Sequence, residues 1–176
     1  YAPETSAALT RHGARQAREL GASVASCAFG LSGGGCGDRV EAGTITLWTQ
    51  FSTSSATLVA DGNAAEVNED FTQLVQGAER HFSDNLTAGL FIASSRGTVD
   101  VDQAARGLGR LESVSGGVYA RLSSGRYSLS GLAGLSDGDV SAARNTPMGV
   151  SSGDSGSSAR FARIDARATF LTGETR

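Results

Sequence analysis

The chain of 176 residues contains no lysine, so its 15 basic residues are all arginines, and only 6% of its residues are aromatic. Acidic residues number 18, and the formal net charge is -3 at pH 7. A surface that binds nucleic-acid phosphates needs clustered positive charge. Because the sequence also lacks a base-reading or stacking motif, we expect no nucleic acid among its partners.

Long apolar runs are missing as well. A membrane-spanning helix needs about 20 consecutive apolar residues, and no segment approaches that length. The chain starts at Tyr1 without a charged or apolar leader, so we expect any export signal to lie upstream. Residues 24–27 superficially match a lipoprotein cleavage box, but the charged segment before them cannot serve as a hydrophobic signal, so lipidation is not expected.

Few residues are suited to catalysis or metal binding. The only histidines, His12 and His81, are far apart, and no paired CxxC motif exists, so no metal site is expected. A nucleophile elbow of the form G-x-S-x-G is also missing. The glycines at 107–109 and 153–156 do not follow a strand and open a helix as phosphate sites do. We therefore expect no enzyme activity and no cofactor.

The two cysteines, Cys27 and Cys36, enclose a glycine-rich segment at 28–35 that is flexible enough to close. A disulfide is the preferred interpretation, and free thiols are the alternative. A disulfide fits an oxidising compartment outside the cytoplasm.

The N-terminal segment, from Pro3 to about Ser26, is rich in Ala, Leu, Arg, Gln and Glu and predicts one helix. Arg11, Arg15 and Arg18 follow one another at helical spacing and form a basic stripe. This stripe fits either a solvated surface helix or a thin helix that threads a polar pore.

Beyond the cysteine loop, the hydrophobic period changes from helical to two, which is typical of strands. The last such segment is the clearest, because Arg163, Asp165 and Arg167 alternate with Ile164 and Ala166. A charged and an apolar face occur both in a soluble sheet and in a membrane barrel, where they face lumen and lipid. Six strands are predicted, at 43–51, 71–80, 86–95, 114–122, 127–135 and 160–171.

The connections favour the membrane barrel. Tight turns at 81–85 and 123–126 alternate with polar segments predicted as long loops, at 52–70, 96–113 and 136–159. Outer-membrane barrels have short periplasmic turns and longer extracellular loops. The sequence therefore predicts an all-β, transmembrane, antiparallel up-and-down barrel with a preceding α-helix, located in a bacterial outer membrane with the long loops outside the cell.

Four segments resemble the autotransporter β-domain family: LWTQF at 47–51, QGAERHFSDNLTAG at 76–89, SVSGGVYA at 113–120 and YSLSGLAG at 127–134. Their order and spacing extend the resemblance over residues 43–171. It implies a twelve-stranded translocator barrel whose preceding helix plugs the lumen and which brings an N-terminal passenger to the cell surface. The partners implied are outer-membrane lipid, a covalently linked passenger domain and the barrel-assembly machinery.

The resemblance also implies a set of lumen-facing residues. The basic stripe of the helix is expected to face lumen carboxylates, for which Glu79 and Asp165 are candidates. Passenger cleavage at an asparagine of the helix is not expected, because the first asparagine is Asn63. The predicted lumen-facing set comprises Arg11, Arg15, Arg18, Glu79, Arg163, Asp165 and Arg167.

Two departures from the family pattern bear on organisation. Six strands are half of twelve, and residues 172–176 do not form a terminal aromatic strand, so we expect a barrel that is incomplete at its C-terminus. The predicted division is a helix and cysteine loop at 1–40 and a barrel at 41–176. The alternatives are a structural or adhesive outer-membrane barrel without secretion, and a soluble β-rich binding module.

Overall fold

The computed structural model describes residues 3–29, 36–59, 66–102 and 107–169, with side chains from Arg15 onward except at 102 and 146. Within these residues there are one helix and seven strands, and the strands form a single sheet in chain order with every neighbouring pair antiparallel. This arrangement confirms the predicted all-β class with an N-terminal helix. The elements are α1 (Pro3–Phe29), β1 (Arg39–Ala42), β2 (Ile45–Leu58), β3 (Glu66–Ser83), β4 (Leu86–Asp102), β5 (Gly107–Ser124), β6 (Tyr127–Thr146) and β7 (Gly149–Ala168).

Helix α1 packs on one face of the sheet, which we call the inner face; the opposite face is the outer face. Leu20, Val24 and Cys27 recur at helical spacing and are each at most 2% exposed. Arg18 and Ala22, on the other side of the helix, are exposed. One apolar stripe on a helix is buried against a neighbouring layer, and here that layer is the inner face.

The strands are longer than the alternation predicted, so the assignment of 52–70, 96–113 and 136–159 as long loops was wrong over most of these segments. β6 and β7 run through 136–159 and are joined by the two-residue turn Pro147–Met148. The strands stay paired through these polar segments because backbone N–H and C=O groups form the ladder hydrogen bonds whatever the side chains are. In β4, Val99 and Val101 also pack with Val67 on the inner face, so this stretch alternates apolar inner positions with polar outer positions.

Strand β1 was missed because four exposed residues carry no readable alternation. The turn from β1 to β2 contains Gly43, whose φ of 65° favours glycine. The turn from β5 to β6 contains Gly125, whose φ of 56° also favours glycine. These turns and the turn at 84–85 lie at one end of the sheet, which we call the tight-turn end. The opposite end carries the turn at 147–148 and the connections between β2 and β3 and between β4 and β5; we call it the loop end.

Candidate functional site

The outer face is apolar over the part of the sheet nearest the tight-turn end. Leu90 and Val118, in the middle of this part, are 56% and 62% exposed. A soluble sheet packs its apolar face into a core, whereas the apolar face of a barrel wall meets lipid. The row of paired outer positions through these two residues consists of Leu47, Ala78, Leu90, Val118, Ala133 and Ala162.

The height of the apolar band approaches that of outer-membrane barrels. Along β5 its outer positions run from Leu122 to Val114, which is about 27 Å at roughly 3.4 Å per residue. With the usual strand tilt this gives a band about 20 Å tall, close to the ~25 Å of outer-membrane barrels. The next outer position on β5 is Glu112, which forms ion pairs with Arg96 at 3.0 Å and Arg110 at 2.8 Å. Charged side chains thus begin where the apolar band ends.

The inner face carries aromatic side chains seated against glycines of the neighbouring strand. Trp48 lies opposite Gly77, and Tyr119 lies opposite Gly89. A Cβ at Gly77 would lie 2.2 Å from the Trp48 ring, so only glycine leaves room for it. Aromatic rings covering glycines in this way fix strand register. The directly opposed pairs are Trp48–Gly77, Gly89–Tyr119, Phe91–Gly117 and Gly134–Phe161.

Beside two of these pairs, a buried hydrogen-bond network reaches the C-terminal end of α1. The Trp48 indole N–H donates to the Tyr119 hydroxyl at 2.8 Å, and that hydroxyl donates to Glu79 Oε2 at 3.1 Å. Glu79, 3% exposed, accepts from Arg39 Nη2 at 2.6 Å. Arg39 Nη1 in turn donates to the carbonyl oxygen of Cys27 at 3.1 Å. The charge of Glu79 is therefore paired and hydrogen-bonded, as a buried carboxylate requires.

The end of α1 is stabilised by the sheet and not by its own sequence. Its last turn contains no basic residue, although the last four carbonyls of a helix lack intrahelical partners. Arg121 of β5 donates to the carbonyl oxygen of Phe29 at 3.2 Å, and Arg39 of β1 donates to that of Cys27. Both arginines also complement the negative end of the helix dipole.

Nearer the loop end, α1 contacts the sheet through polar side chains. Arg15 Nη1 lies 3.4 Å from Glu69 Oε2 of β3, and Arg15 Nε donates to Glu19 at 2.8 Å. Gln16 donates to the Ser113 hydroxyl of β5. A cavity beside this contact, lined by Gln16, Leu20 and neighbouring strand residues, has a volume of about 70 Å³. That space holds two or three waters at ~30 Å³ each, so α1 packs closely against the strands beside it.

The basic stripe of α1 was expected to face Glu79 and Asp165, and for Arg15 the structure shows a different carboxylate. Arg15 pairs with Glu69, which sequence analysis did not single out, and not with Glu79 or Asp165. Glu79 pairs with Arg39. Glu69 could have been found from the sequence. It lies an even number of positions from Glu79 in the same strand, and residues at even spacing share one face of a strand. Nothing in the sequence indicated a role for Arg39, since β1 was not predicted.

The other predicted lumen-facing residues are located as follows. Arg163, Asp165 and Arg167 lie on the inner face, opposite Leu132, Ser130 and Ser128. Arg163 donates to Asp165 through Nε at 2.7 Å and Nη2 at 2.9 Å. Arg18 is exposed on the side of α1 away from the sheet, and the side chain of Arg11 lies outside the described residues. That these residues line a lumen remains a prediction.

The structure links Cys27 and Cys36 by a disulfide with Cα atoms 4.8 Å apart. It joins the last turn of α1 to the segment that enters β1. Within the described residues, no group of three His, Cys, Asp or Glu side chains is placed to hold a metal ion, and no helix is long and apolar enough to cross a membrane. His81 hydrogen-bonds Thr87 on the surface, and the side chain of His12 lies outside the described part.

An antiparallel meander with an apolar band on its outer face and a polar, helix-packed inner face defines a wall of an outer-membrane β-barrel. The family model described as autotransporter beta-domain matches residues 47–175, and the chain belongs to that family. No curated protein and no solved structure matches the chain. The family consists of outer-membrane translocator domains and is not an enzyme family, so the chain has an outer-membrane translocator role and the bacterial outer membrane is its location.

Proposed function

We propose that this chain exports a passenger attached ahead of α1 to the cell surface, with α1 plugging the barrel interior once export is complete. The observation that carries the proposal is the direction of α1 on the inner face. Its C-terminal end, at Cys27 and Phe29, is held at the level of Glu79 and Arg121, near the tight-turn end. Short turns of outer-membrane barrels face the periplasm, so α1 ends toward the periplasm.

The other end of α1 leads toward the loop end. Arg15 contacts Glu69, close to the beginning of β3, and Gln16 contacts Ser113 in the first half of β5. The helix continues for twelve residues before Arg15, which adds about 18 Å at 1.5 Å per residue. A segment attached ahead of α1 therefore emerges on the side opposite the tight turns, where a surface-displayed passenger belongs.

The proposed partners follow from the faces and edges of the sheet. Outer-membrane lipid contacts the apolar band of the outer face. In the described part of the chain, β7 has a neighbour on one side only, and the backbone of an open strand edge cannot stay unpaired in lipid. The barrel-assembly machinery is the partner proposed to protect such edges until further strands close the wall.

Surface labelling of the full-length protein in intact cells tests the topology. Met148→Cys lies in the turn at the loop end and is fully exposed, while Asn85→Cys lies in a turn at the tight-turn end. The native cysteines are in a disulfide and do not react with a maleimide. A membrane-impermeant maleimide should label Met148→Cys in intact cells and label Asn85→Cys only after lysis. The reverse pattern would refute the orientation.

An epitope placed ahead of Tyr1 tests secretion itself. With the barrel in place, the epitope should be digested by protease added to intact cells. A matched variant lacking residues 127–168, and therefore β6 and β7, should leave the epitope protected. An epitope that stays inside although Met148→Cys is labelled would instead favour a structural or adhesive barrel without secretion.

A further inference from the structure

The disulfide shortens the connection between α1 and the sheet. Cys27 and Cys36 are nine positions apart in sequence, and their Cα atoms are 4.8 Å apart. Nine extended residues span about 30 Å. Without the disulfide, the backbone alone would allow the end of α1 to move by roughly 25 Å relative to Cys36. The disulfide prevents this movement, because it holds Cys27 beside Cys36.

The segment on the Cys36 side is fixed to the wall. Thr49 N–H donates to the carbonyl oxygen of Asp38 at 3.0 Å, and Arg39 begins the ladder to β2 opposite Trp48. A Cβ on Gly37 would lie 2.4 Å from the Thr49 carbonyl oxygen, so this segment lies directly against β2. Cys36 is therefore a rigid anchor, and the disulfide transfers that rigidity to Cys27.

Besides the disulfide, α1 is held near its C-terminal end by the buried Leu20, Val24 and Phe29. Hydrogen bonds from Arg39 and Arg121 to its last carbonyls add to this hold. Among the described side chains nearer its N-terminal end, Arg15 pairs with Glu69 at 3.4 Å, Gln16 donates to Ser113, and Glu19 accepts from Ser54 at 3.4 Å. The Arg15 side chain is 34% exposed and that of Glu69 is 4% exposed, so solvent screens this ion pair only in part. The 27 residues of α1 span about 40 Å, so a slip of 25 Å would clear more than half of it from the wall.

We propose that the Cys27–Cys36 disulfide is a lock that sets the depth of α1 in the barrel and keeps the pore closed after export. The inference rests on the proposed function, because a lock needs a lumen to close. A dithiol opens the lock by thiol–disulfide exchange, in which its thiolate attacks one sulfur, its second thiol completes the reaction, and two cysteine thiols and an oxidised cyclic disulfide result. Cys27 is 1% exposed and Cys36 is partly exposed, so attack occurs at Cys36.

Ion conductance of the full-length protein in planar lipid bilayers tests the lock. The oxidised protein should be closed, and dithiothreitol should raise its open fraction roughly thirtyfold, the lower end of what a disulfide of this loop size contributes. The double variant Cys27→Ser with Cys36→Ser should show the raised open fraction without reductant and no response to it. Hydrogen exchange at the amides of residues 15–29 should accelerate in parallel.

A variant that lacks residues 3–29 separates the two proposals. If this variant conducts and reduced wild-type protein stays closed with its helix amides protected, the lock is overturned and the proposed function stands. If the variant lacking α1 does not conduct either, the sheet does not surround a pore and both proposals are overturned. Reduction of protein that is already folded decides the question even where the double serine variant fails to assemble.

Discussion

Replacing Gly77 by alanine should destabilise the barrel far more than a single methyl group suggests. The added Cβ would lie 2.2 Å from Cε2 and Cζ2 of Trp48, whereas carbon atoms prefer a separation of about 3.5–4.0 Å. The indole, 3% exposed, must retreat from β3 and so lose its 2.8 Å hydrogen bond to Tyr119. Overpacking costs ~1–3 kcal/mol, and a buried partner left unsatisfied costs ~1–3 kcal/mol more.

The expected loss in free energy of unfolding is therefore about 2–6 kcal/mol. It is measured by urea titration of the full-length protein in lipid vesicles, with heat-modifiable gel mobility as the readout of folded barrel. Gly116→Ala is the matched control, because its Cβ would lie 3.6 Å from the nearest atom, an ordinary contact, on the outer face. Equal stability of the Gly77 variant and wild type would refute the reasoning. So would an equal loss in both variants.

Three further outcomes are expected. Ala133→Arg, in the middle of the apolar band, should obstruct membrane insertion at a cost of ~2–4 kcal/mol. Ser141→Arg, on the same face of β6 but beyond the band, should insert normally. Equal membrane yields of the two variants on fractionation would contradict the assigned band. Tyr119→Phe leaves the buried indole N–H without its acceptor and should lower the urea midpoint by the equivalent of about 1–3 kcal/mol, so an unchanged midpoint would show that the network is not needed. Residues 1–176 expressed alone should aggregate through the open edge of β7, and a monomeric, heat-modifiable species would show that this sheet closes by itself.

Much of the wall could be predicted from sequence because alternation reports which face of a strand a residue occupies. Ile164 and Ala166 were assigned to the apolar face and Arg163, Asp165 and Arg167 to the charged one, and the register places them on the outer and inner faces. Element bounds were less predictable. Past the apolar band both faces of β6 and β7 are at least partly exposed, so Ser, Gly and Asp are equally suited to strand and loop there. These two strands continue through residues that were assigned to a loop.

The sequence by itself determined the class of the protein, the two faces of its sheet and the N-terminal helix, because periodicity is a local property of the chain. Only the tertiary structure decided the partners of each charge. Glu79 meets Arg39 and Arg15 meets Glu69, pairs that are 40 and 54 residues apart. Strand register and the depth of α1 bring these side chains together, and both depend on long-range packing, such as Trp48 against Gly77, that no local pattern specifies.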